Sequence, residues 1–232
     1  MSEVKSLEEI KKFWPTTAPD IENISKYVLK YKNELIVVKY GGNVLIDRNV
    51  FNNFIDDIFI LNMLGLSIVV VHGGGPRIEK ELKDKKIQTE FLNGLRVTDK
   101  KVIKIVENVL IDFNNDIVNS LNKKGSKAVS INSKINNVIS VVPDRHELGF
   151  VGVPNNIDTD IIKNIINENQ IPVVAPLGLD TNNQAYNING DTAASAIAKK
   201  LKSRRLLLMT NVKGVYDDRK NLISEIKPFD IE

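Results

Sequence analysis

Residues 67–78 read SIVVVHGGGPRI. Positions 67–71 are apolar or small and rich in β-branched types, which predicts a strand buried on both faces. Three glycines follow, and Pro76 stands where a helix would take its first residue. A strand, a glycine turn and a helix N terminus together favour the binding of an anion. Backbone N–H groups can approach the anion closely, and the helix dipole attracts negative charge. The alternative is a tight strand-to-helix turn without a ligand.

The composition of the 232-residue chain is that of an ordinary globular protein, with 42% hydrophobic and 26% charged residues. A net charge of +3 is too small to indicate a nucleic acid or a membrane surface as partner. The absence of cysteine excludes disulfides, thiolate catalysis and cysteine-ligated zinc, and two histidines argue against a His-rich metal site.

No targeting or membrane segment is recognisable in the sequence. Residues 1–14 contain no apolar core typical of a signal peptide. No apolar run approaches the length that spans a bilayer. We therefore expect a cytoplasmic protein.

A second strand that ends in glycines precedes the first. Residues 34–40 read ELIVVKY and lead into Gly41 and Gly42. An amphipathic helix follows, and Gly65 is placed to end it. With the strand at 67–71 and a helix from Pro76, this alternation predicts a parallel sheet with right-handed crossovers.

The rest of the chain continues to alternate. Residues 91–97 are predicted to be an irregular link, and Thr98 and Asp99 are N-cap candidates for a long helix that Gly125 closes. Further elements are predicted as strands near 127–131, 138–142, 171–175 and 205–211, part of a hairpin at 148–153, and helices near 161–166 and 192–201.

Familiar phosphate-binding motifs are missing. The sequence has no G-x-x-x-x-G-K-[ST] segment, and Ile78 occupies the third glycine position of a dinucleotide fingerprint. What remains is a pair of strand-to-glycine turns, at 39–42 and 72–75. If their strands are neighbours, both turns open at one sheet edge, where two anions could lie head to head.

Four polar residues are candidates for chemistry at that edge. Lys39 could stabilise a moving phosphoryl group, or could simply extend to water. Arg96 could clamp a carboxylate with its planar fork, or could be an ordinary surface arginine. Asp191 could hold lysines in place or act as an N-terminal helix charge, and Asn187 could bind a substrate or stabilise a turn.

These segments together resemble N-acetylglutamate kinase, an amino-acid kinase family enzyme of arginine biosynthesis. The resemblance spans roughly residues 35–217, in the family's order and spacing. Glycine turns of this kind occur in several family members, whereas the segments at 93–98 and 148–152 discriminate among them. The segments that carry the resemblance read VKYGGN at 38–43, VHGGGP at 71–76, NGLRVT at 93–98, LGFVG at 148–152, NINGD at 187–191 and TNVKGV at 210–215.

The resemblance implies an α/β fold, a three-layer α/β/α sandwich around a mostly parallel central sheet. It divides the chain into an N-terminal helical extension (1–34), an acyl-amino-acid-binding half (35–176) and a partial ATP-binding half (177–232) on one continuous sheet. The implied catalytic residues are Lys39 and Asp191. The implied substrate contacts are Gly74, Gly75, Arg96 and Asn187, and the implied ATP contacts are Gly41, Gly42, Asn211, Lys213, Gly214 and Tyr216.

The implied reaction transfers the γ-phosphoryl group of ATP to the γ-carboxylate of N-acetyl-L-glutamate. The nucleotide phosphates would bring Mg²⁺, with no metal site formed by the protein itself. A carboxylate is already a nucleophile at neutral pH, so no protein base is needed.

Two departures from the family pattern stand out. The family continues past this point with a second catalytic lysine, in outline G-M-x-x-K, and the sequence ends at Ile231 and Glu232 without that segment. We expect a fragment rather than a degenerate relative, because the other site residues are intact. Gly190 also replaces a customary alanine, from which we expect little consequence beyond local flexibility.

The resemblance also bears on assembly and on alternative functions. Residues 1–34 resemble the N-terminal helix of hexameric, arginine-inhibited relatives, so we expect a homo-oligomer, a dimer or hexamer, and weigh an arginine effector. The functional alternatives are a related aminoadipate-type kinase and a non-catalytic amino-acid-binding regulatory subunit.

Overall fold

The computed structural model describes residues 7–16, 18–31, 34–41, 47–210, 212–227 and 229. Its helices are α1 (Leu7–Lys11), α2 (Ile21–Tyr31), α3 (Arg48–Met63), α4 (Gly75–Asp84), α5 (Lys100–Lys123), α6 (Thr159–Asn167) and α7 (Gly190–Leu201). Its strands are β1 (Leu35–Tyr40), β2 (Ser67–His72), β3 (Phe91–Leu92), β4 (Leu95–Arg96), β5 (Ala128–Ile131), β6 (Ile139–Pro143), β7 (Gly152–Ile157), β8 (Ile171–Val174), β9 (Leu177–Leu179), β10 (Ala185–Asn187), β11 (Arg205–Met209), β12 (Val215–Tyr216) and β13 (Leu222–Ile223).

Five strands form a parallel sheet in the order β11-β1-β2-β8-β5. Strands β1 and β2 lie side by side in its middle and are buried along almost their whole length. Their near-continuous apolar sequences are typical of parallel strands that are covered on both faces. The predicted parallel sheet is therefore confirmed.

Helices cover both faces of this sheet. Ile58 of α3 and Phe113 of α5 pack in one hydrophobic cluster with Val38 of β1. The neighbouring residue Val37 points the other way and packs with Ile197 of α7, because successive side chains of a strand alternate between faces. These two clusters confirm the three-layer α/β/α sandwich.

A second sheet of four strands, in the order β10-β9-β6-β7, stands beside the first and was not foreseen from the sequence. Strands β6 and β7 form its antiparallel hairpin, and β10 pairs antiparallel with β9. The chain passes from the central sheet into this sheet between β8 and β9, which only Ala175 and Pro176 separate. Strand β10 leads into α7, so this helix follows the second sheet along the chain and packs against the first.

The prediction of an irregular link at 91–97 is wrong, because this segment contains the antiparallel hairpin β3–β4. Phe91 pairs with Arg96 and Leu92 with Leu95. The two residues between the strands, Asn93 and Gly94, have φ values of 50° and 78°. Positive φ at both central positions suits the right-handed twist of a two-residue hairpin, and Asn-Gly is its commonest sequence. The signal was therefore present in the sequence.

The start of α5 decides between the two predicted N-caps, and the start of α7 differs from the predicted one. Asp99, not Thr98, caps α5, since its Oδ1 accepts hydrogen bonds from the N–H groups of Lys101 and Val102 at 2.7 and 2.8 Å. Helix α7 begins at Gly190, earlier than the predicted Thr192, because Asn189 supplies its cap. None of the described helices is long and apolar enough to cross a membrane.

Candidate active site

The two strand ends that lead into the glycines lie side by side, as the sequence predicts. Tyr40 at the end of β1 is the register partner of His72 at the end of β2. The Gly73 N–H donates to the Tyr40 carbonyl oxygen at 2.7 Å, which carries the pairing one residue beyond the strand. Gly41 and Gly73 therefore follow the carboxyl ends of neighbouring parallel strands, at the edge where open α/β sheets bind ligands.

The N terminus of α4 forms one wall of the site. Gly74 is its N-cap and provides no side-chain hydrogen bond to the first N–H groups of the helix, which leaves them available to an anion. A Cβ on Gly74 would collide with Leu110, whereas a Cβ on Gly75 would meet nothing within 4 Å. Gly74 is thus required by packing, and Gly75 faces open space.

Lys39 is nearly buried and ion-paired at the end of β1. Its Nζ lies 3.0 Å from Oδ1 of Asp191, and the side chains of Lys39 and Asp191 are 10% and 55% exposed. Asp191 reaches Lys39 because Asn189 caps α7, accepting hydrogen bonds from the Asp191 and Thr192 N–H groups at 2.9 and 3.1 Å. Lys39 is therefore not a strand-end lysine extending to water.

Arg96 is buried on strand β4 with its guanidinium held on two sides. Its Nη1 donates to Oγ1 of Thr89 at 2.6 Å, and its Cζ lies 4.6 Å from the centroid of the Phe91 ring. Burial lowers the pKa of Arg96, and the nearby Glu79 carboxylate opposes that shift. A buried, fixed guanidinium is suited to bidentate recognition of a carboxylate.

Asn187 is held in place by the backbone of the segment at 148–152. Its N–H donates to the Phe150 carbonyl oxygen at 2.9 Å, and Asn187 forms an isolated parallel β-bridge with Val151. At the other end of the segment Gly149 bridges Thr98 with a φ of 67°, and a Cβ there would collide with the Thr98 carbonyl oxygen. This segment thus joins β10 to the start of α5.

These parts surround one cavity of about 330 Å³. The structure brings together in its lining six residues that the sequence indicates: Lys39, Gly74, Gly75, Arg96, Asn187 and Asp191. The remaining lining residues are Gly73, Pro76, Ile78, Glu79, Phe91, Gly94, Leu95, Leu110, Val151, Pro176, Ile188, Asn189 and Gly190.

The residues indicated for ATP are placed differently. Gly41 is buried beneath Lys39, so close that a Cβ there would collide with the lysine side chain. Lys213, Gly214 and Tyr216 are exposed around β12 and are not part of the cavity lining. Gly42 and Asn211 lie outside the described residues.

One charged residue of the cavity lining, Glu79, was not predicted from the sequence. This residue follows Gly75 by four positions on α4, so the two share a helix face, and that spacing was a usable signal. The cavity therefore holds two cationic side chains, Lys39 and Arg96, and two carboxylates, Asp191 and Glu79.

A comparison with protein families matches residues 34–231 to the amino acid kinase family. The chain belongs to the amino acid kinase family. The match covers the central sheet, the cavity and the helices on both faces, so the fold and the site described above belong to a single family unit.

Several acetylglutamate kinases are strongly similar to the chain. The acetylglutamate kinase of Pelagibacter ubique (strain HTCC1062) is 49% identical over 219 residues, which are 94% of this chain and 76% of the relative. That of Jannaschia sp. (strain CCS1) is 42% identical over 217 residues, 93% of this chain and 76% of the relative. The resemblance to N-acetylglutamate kinase is thus confirmed.

Solved structures show the same amino acid kinase fold. The smu.665 protein of Streptococcus mutans UA159 superposes with a TM-score of 0.69 at 32% identity, covering 79% of this chain and 75% of that one. An N-acetylglutamate synthase from Neisseria gonorrhoeae, complexed with coenzyme A and N-acetyl-glutamate, superposes with a TM-score of 0.75 at 20% identity, covering 87% of this chain and 47% of that one. At that identity the second likeness shows the fold alone.

Membership of the amino acid kinase family implies that the chain uses ATP. Among the described residues no three His, Asp or Glu side chains are grouped so that they could hold a metal ion. The individual roles of the cavity residues, and of Gly41, Lys213, Gly214 and Tyr216 toward ATP, stay predictions.

Proposed function

We propose that this amino acid kinase phosphorylates the γ-carboxylate of N-acetyl-L-glutamate at the expense of ATP, in arginine biosynthesis. The carrying observation is that the ion pair of Lys39 with Asp191, the buried guanidinium of Arg96 and a glycine-rich helix N terminus all line one cavity. The names of the similar relatives, acetylglutamate kinases, support the choice of acceptor.

The acceptor half of the proposal rests on Arg96, Asn187 and the α4 N terminus. N-acetyl-L-glutamate carries two carboxylates and one amide, so it needs anion donors at both ends and a polar group between them. Arg96 would bind the α-carboxylate through its fork, and Asn187 has both a donor and an acceptor for the amide. The first N–H groups of α4, at Gly74 and Gly75, would receive the γ-carboxylate.

The donor half rests on Lys39. Phosphoryl transfer is catalysed mainly by positioning and by stabilisation of charge on the moving group. Lys39 supplies a cation beside the glycine turns, and Asp191 holds its Nζ at 3.0 Å from a carboxylate oxygen instead of leaving it to sample rotamers. We propose that Mg²⁺ enters with the ATP phosphates, since this ion prefers phosphate oxygens and water to an all-protein cage.

The chemical step then needs little from the protein beyond geometry. The γ-carboxylate oxygen attacks the γ-phosphorus of ATP in line, the bond to the ADP oxygen breaks, and the products are an acyl phosphate and ADP. Lys39 neutralises part of the charge that accumulates on the transferred group. A proton need not move, because a carboxylate of ordinary pKa is ionised at neutral pH.

Trapping the acyl phosphate with hydroxylamine tests the proposal. The chain is incubated with ATP, Mg²⁺ and N-acetyl-L-glutamate, and the hydroxamate is measured, while calorimetry records binding of the acceptor separately. N-acetyl-L-aspartate, one methylene shorter, and L-glutamate, which lacks the acetyl group, are the matched acceptors. We expect hydroxamate with N-acetyl-L-glutamate and much less with the other two. Absence of both hydroxamate and binding would refute the proposal, and binding without turnover would indicate an amino-acid-binding subunit.

We also propose a homo-oligomer in which the N-terminal extension takes part, with arginine as an effector. Helices α1 and α2 lie on the domain through the Phe13 ring, whose centroid is 5.2 Å from that of Phe59 on α3. Removal of residues 1–30 should lower the number of chains per particle, measured from the mass in solution, and abolish any inhibition by arginine. An unchanged number of chains per particle would contradict the role of the extension. A cytoplasmic location stays a prediction.

A further inference from the structure

A chain of buried and half-buried polar side chains runs beneath the glycine turn. His72 and Asn114 both have 0% exposure, and Asn114 is a polar residue on the otherwise apolar buried face of α5. The His72 ring contacts the Gly73 carbonyl oxygen with Nδ1 at 2.8 Å and the Asn114 amide nitrogen with Nε2 at 3.1 Å. The chain continues from Asn114 to Ser130 of β5 and then to Asn132.

The partners of Asn114 fix which ring nitrogen of His72 carries the proton. The Asn114 Nδ2 lies 2.9 Å from the Val173 carbonyl oxygen, which can only accept, so this atom is the amide nitrogen. The Asn114 Oδ1 accepts from Ser130 Oγ at 2.6 Å, and that hydroxyl accepts in turn from Asn132 Nδ2 at 2.9 Å. With Asn114 donating to it, Nε2 of His72 is the acceptor, and Nδ1 bears the hydrogen donated to Gly73.

The surroundings keep this ring neutral. Burial lowers the pKa of His72 to about 4, the carbonyl of Gly73 raises it, and the positive charge of Arg77 lowers it further. The edge of the Phe113 ring packs against the imidazole, with centroids 5.0 Å apart and planes at 80°. A neutral ring has one donor only, and that donor is committed to Gly73.

The consequence is that both backbone polar groups of Gly73 are held from inside the protein. Its N–H donates to Tyr40 and its carbonyl oxygen accepts from His72. Glycine is otherwise the freest residue in φ and ψ. Because the peptide is planar and trans, fixing the Gly73 carbonyl toward His72 also directs the Gly74 N–H to the opposite side.

We propose that His72 is a positioning residue of the acceptor site, which orients the Gly73–Gly74 peptide so that the α4 N terminus is preorganised for an anionic acceptor. The inference rests on the proposed function, because the acceptor it uses is N-acetyl-L-glutamate. Preorganised donors bind more tightly because ordering them costs nothing at the moment of binding. His72 itself is separated from the cavity by the glycine it orients.

The first test reads the tautomer directly. The chain contains two histidines, so ¹⁵N-histidine labelling gives two sets of resonances, with the exposed His146 as internal reference. At pH 7 we expect His72 to be neutral with the hydrogen on Nδ1, the minor form in free imidazole side chains. A hydrogen on Nε2, or a charged ring, would overturn the inference.

The second test separates the two ring contacts. In His72→Asn the amide nitrogen stands as many bonds from Cβ as Nδ1 does, so it can still donate to Gly73. In His72→Gln the terminal amide reaches the position of Nε2, so the contact with Asn114 is kept and the bond to Gly73 is lost. The dissociation constant for N-acetyl-L-glutamate is measured by calorimetry for both, with His146→Gln as control.

We expect His72→Gln to weaken binding by about tenfold, the equivalent of one hydrogen bond, and His72→Asn by much less. Equal weakening in the two variants, or none in either, would overturn the positioning role while leaving the proposed function intact. If the unaltered chain does not bind N-acetyl-L-glutamate, the proposed function fails and the inference fails with it, whatever the tautomer. The two failures are therefore distinguishable.

Discussion

The Nζ of Lys39 at the end of β1 lies 3.0 Å from Oδ1 of Asp191 in the first turn of α7. One partner is nearly buried and the other is half-exposed, so the lysine is anchored within the cavity by a carboxylate that solvent still reaches. Such a pair adds little stability because the exposed partner is screened. Its value lies in fixing where the positive charge stands.

Replacing Lys39 should therefore affect turnover far more than folding. In Lys39→Met we expect hydroxamate formation to fall by about 10²–10³-fold, the usual effect of losing a donor at a developing charge. In Asp191→Asn the charge remains but loses its anchor, so we expect a smaller fall and a stability change of about 1 kcal/mol or less. The control is Lys85→Met, which removes a surface lysine paired with Glu81 at 3.2 Å. Equal turnover in Lys39→Met and the control would contradict a role in transfer.

Two adjacent glycines should respond oppositely to the same change. Gly75→Ala places its Cβ in open space, so the protein should keep its melting temperature but lose affinity for N-acetyl-L-glutamate, whose carboxylate must approach the backbone there. Gly74→Ala drives its Cβ into Leu110, so it should lower the melting temperature. Thermal denaturation and calorimetry on both variants measure this. Undiminished affinity in Gly75→Ala would show that no ligand approaches the turn.

Substitution of Arg96 by lysine tests recognition by a planar fork. Arg96→Lys keeps the charge but loses the bidentate geometry and the stacking on Phe91, so we expect KM for N-acetyl-L-glutamate to rise about tenfold or more with a smaller change in kcat. Arg77→Lys is the matched control, because Arg77 also stacks on a ring and pairs with Asp116 but lies outside the cavity lining. A rise in KM common to both variants would assign the effect to general destabilisation.

His72 should make stability depend on pH in the acid range. Its pKa is lowered by burial to about 4 in the folded state, against about 6.5 in an unfolded chain. Between these values the unfolded state binds more protons, so stability rises with pH there and is lost as pH falls from about 6.5 to 4. The full contribution is about 3 kcal/mol. Urea denaturation at several pH values should show this slope in the unaltered chain and in His146→Gln, and not in His72→Asn.

Gly190 should accept an alanine, as the sequence suggests. A Cβ there would lie 3.4 Å from Cε of Lys39, at ordinary van der Waals distance. We expect Gly190→Ala to stabilise the protein by about 0.4–1 kcal/mol through the unfolded state, with turnover little changed. Gly149→Ala is the contrasting variant, because its φ of 67° and its contact with Thr98 both oppose a side chain. A destabilised Gly190→Ala would show that the lysine needs the space.

Much of the site could be inferred from local sequence. Runs rich in β-branched residues at 35–40 and 67–72 predict parallel strands, and the glycines directly after them predict turns at one sheet edge. The Asn93-Gly94 hairpin was equally readable and was missed, because its strands are only two residues long. Glu79 was missed for another reason, since an isolated glutamate on a helix is usually solvated.

The sequence by itself determined the sheet, the glycine turns and the family, because these depend on residues that are close along the chain. The tertiary structure alone decided that Asp191 pairs with Lys39, that Arg96 lines the same cavity as Lys39, and that Asn114 donates a hydrogen bond to the buried ring of His72. Each of these relations joins segments far apart in sequence, through strand register and helix packing. Burial and partners set the charge state and the orientation of a side chain, and neither is encoded in its immediate neighbours.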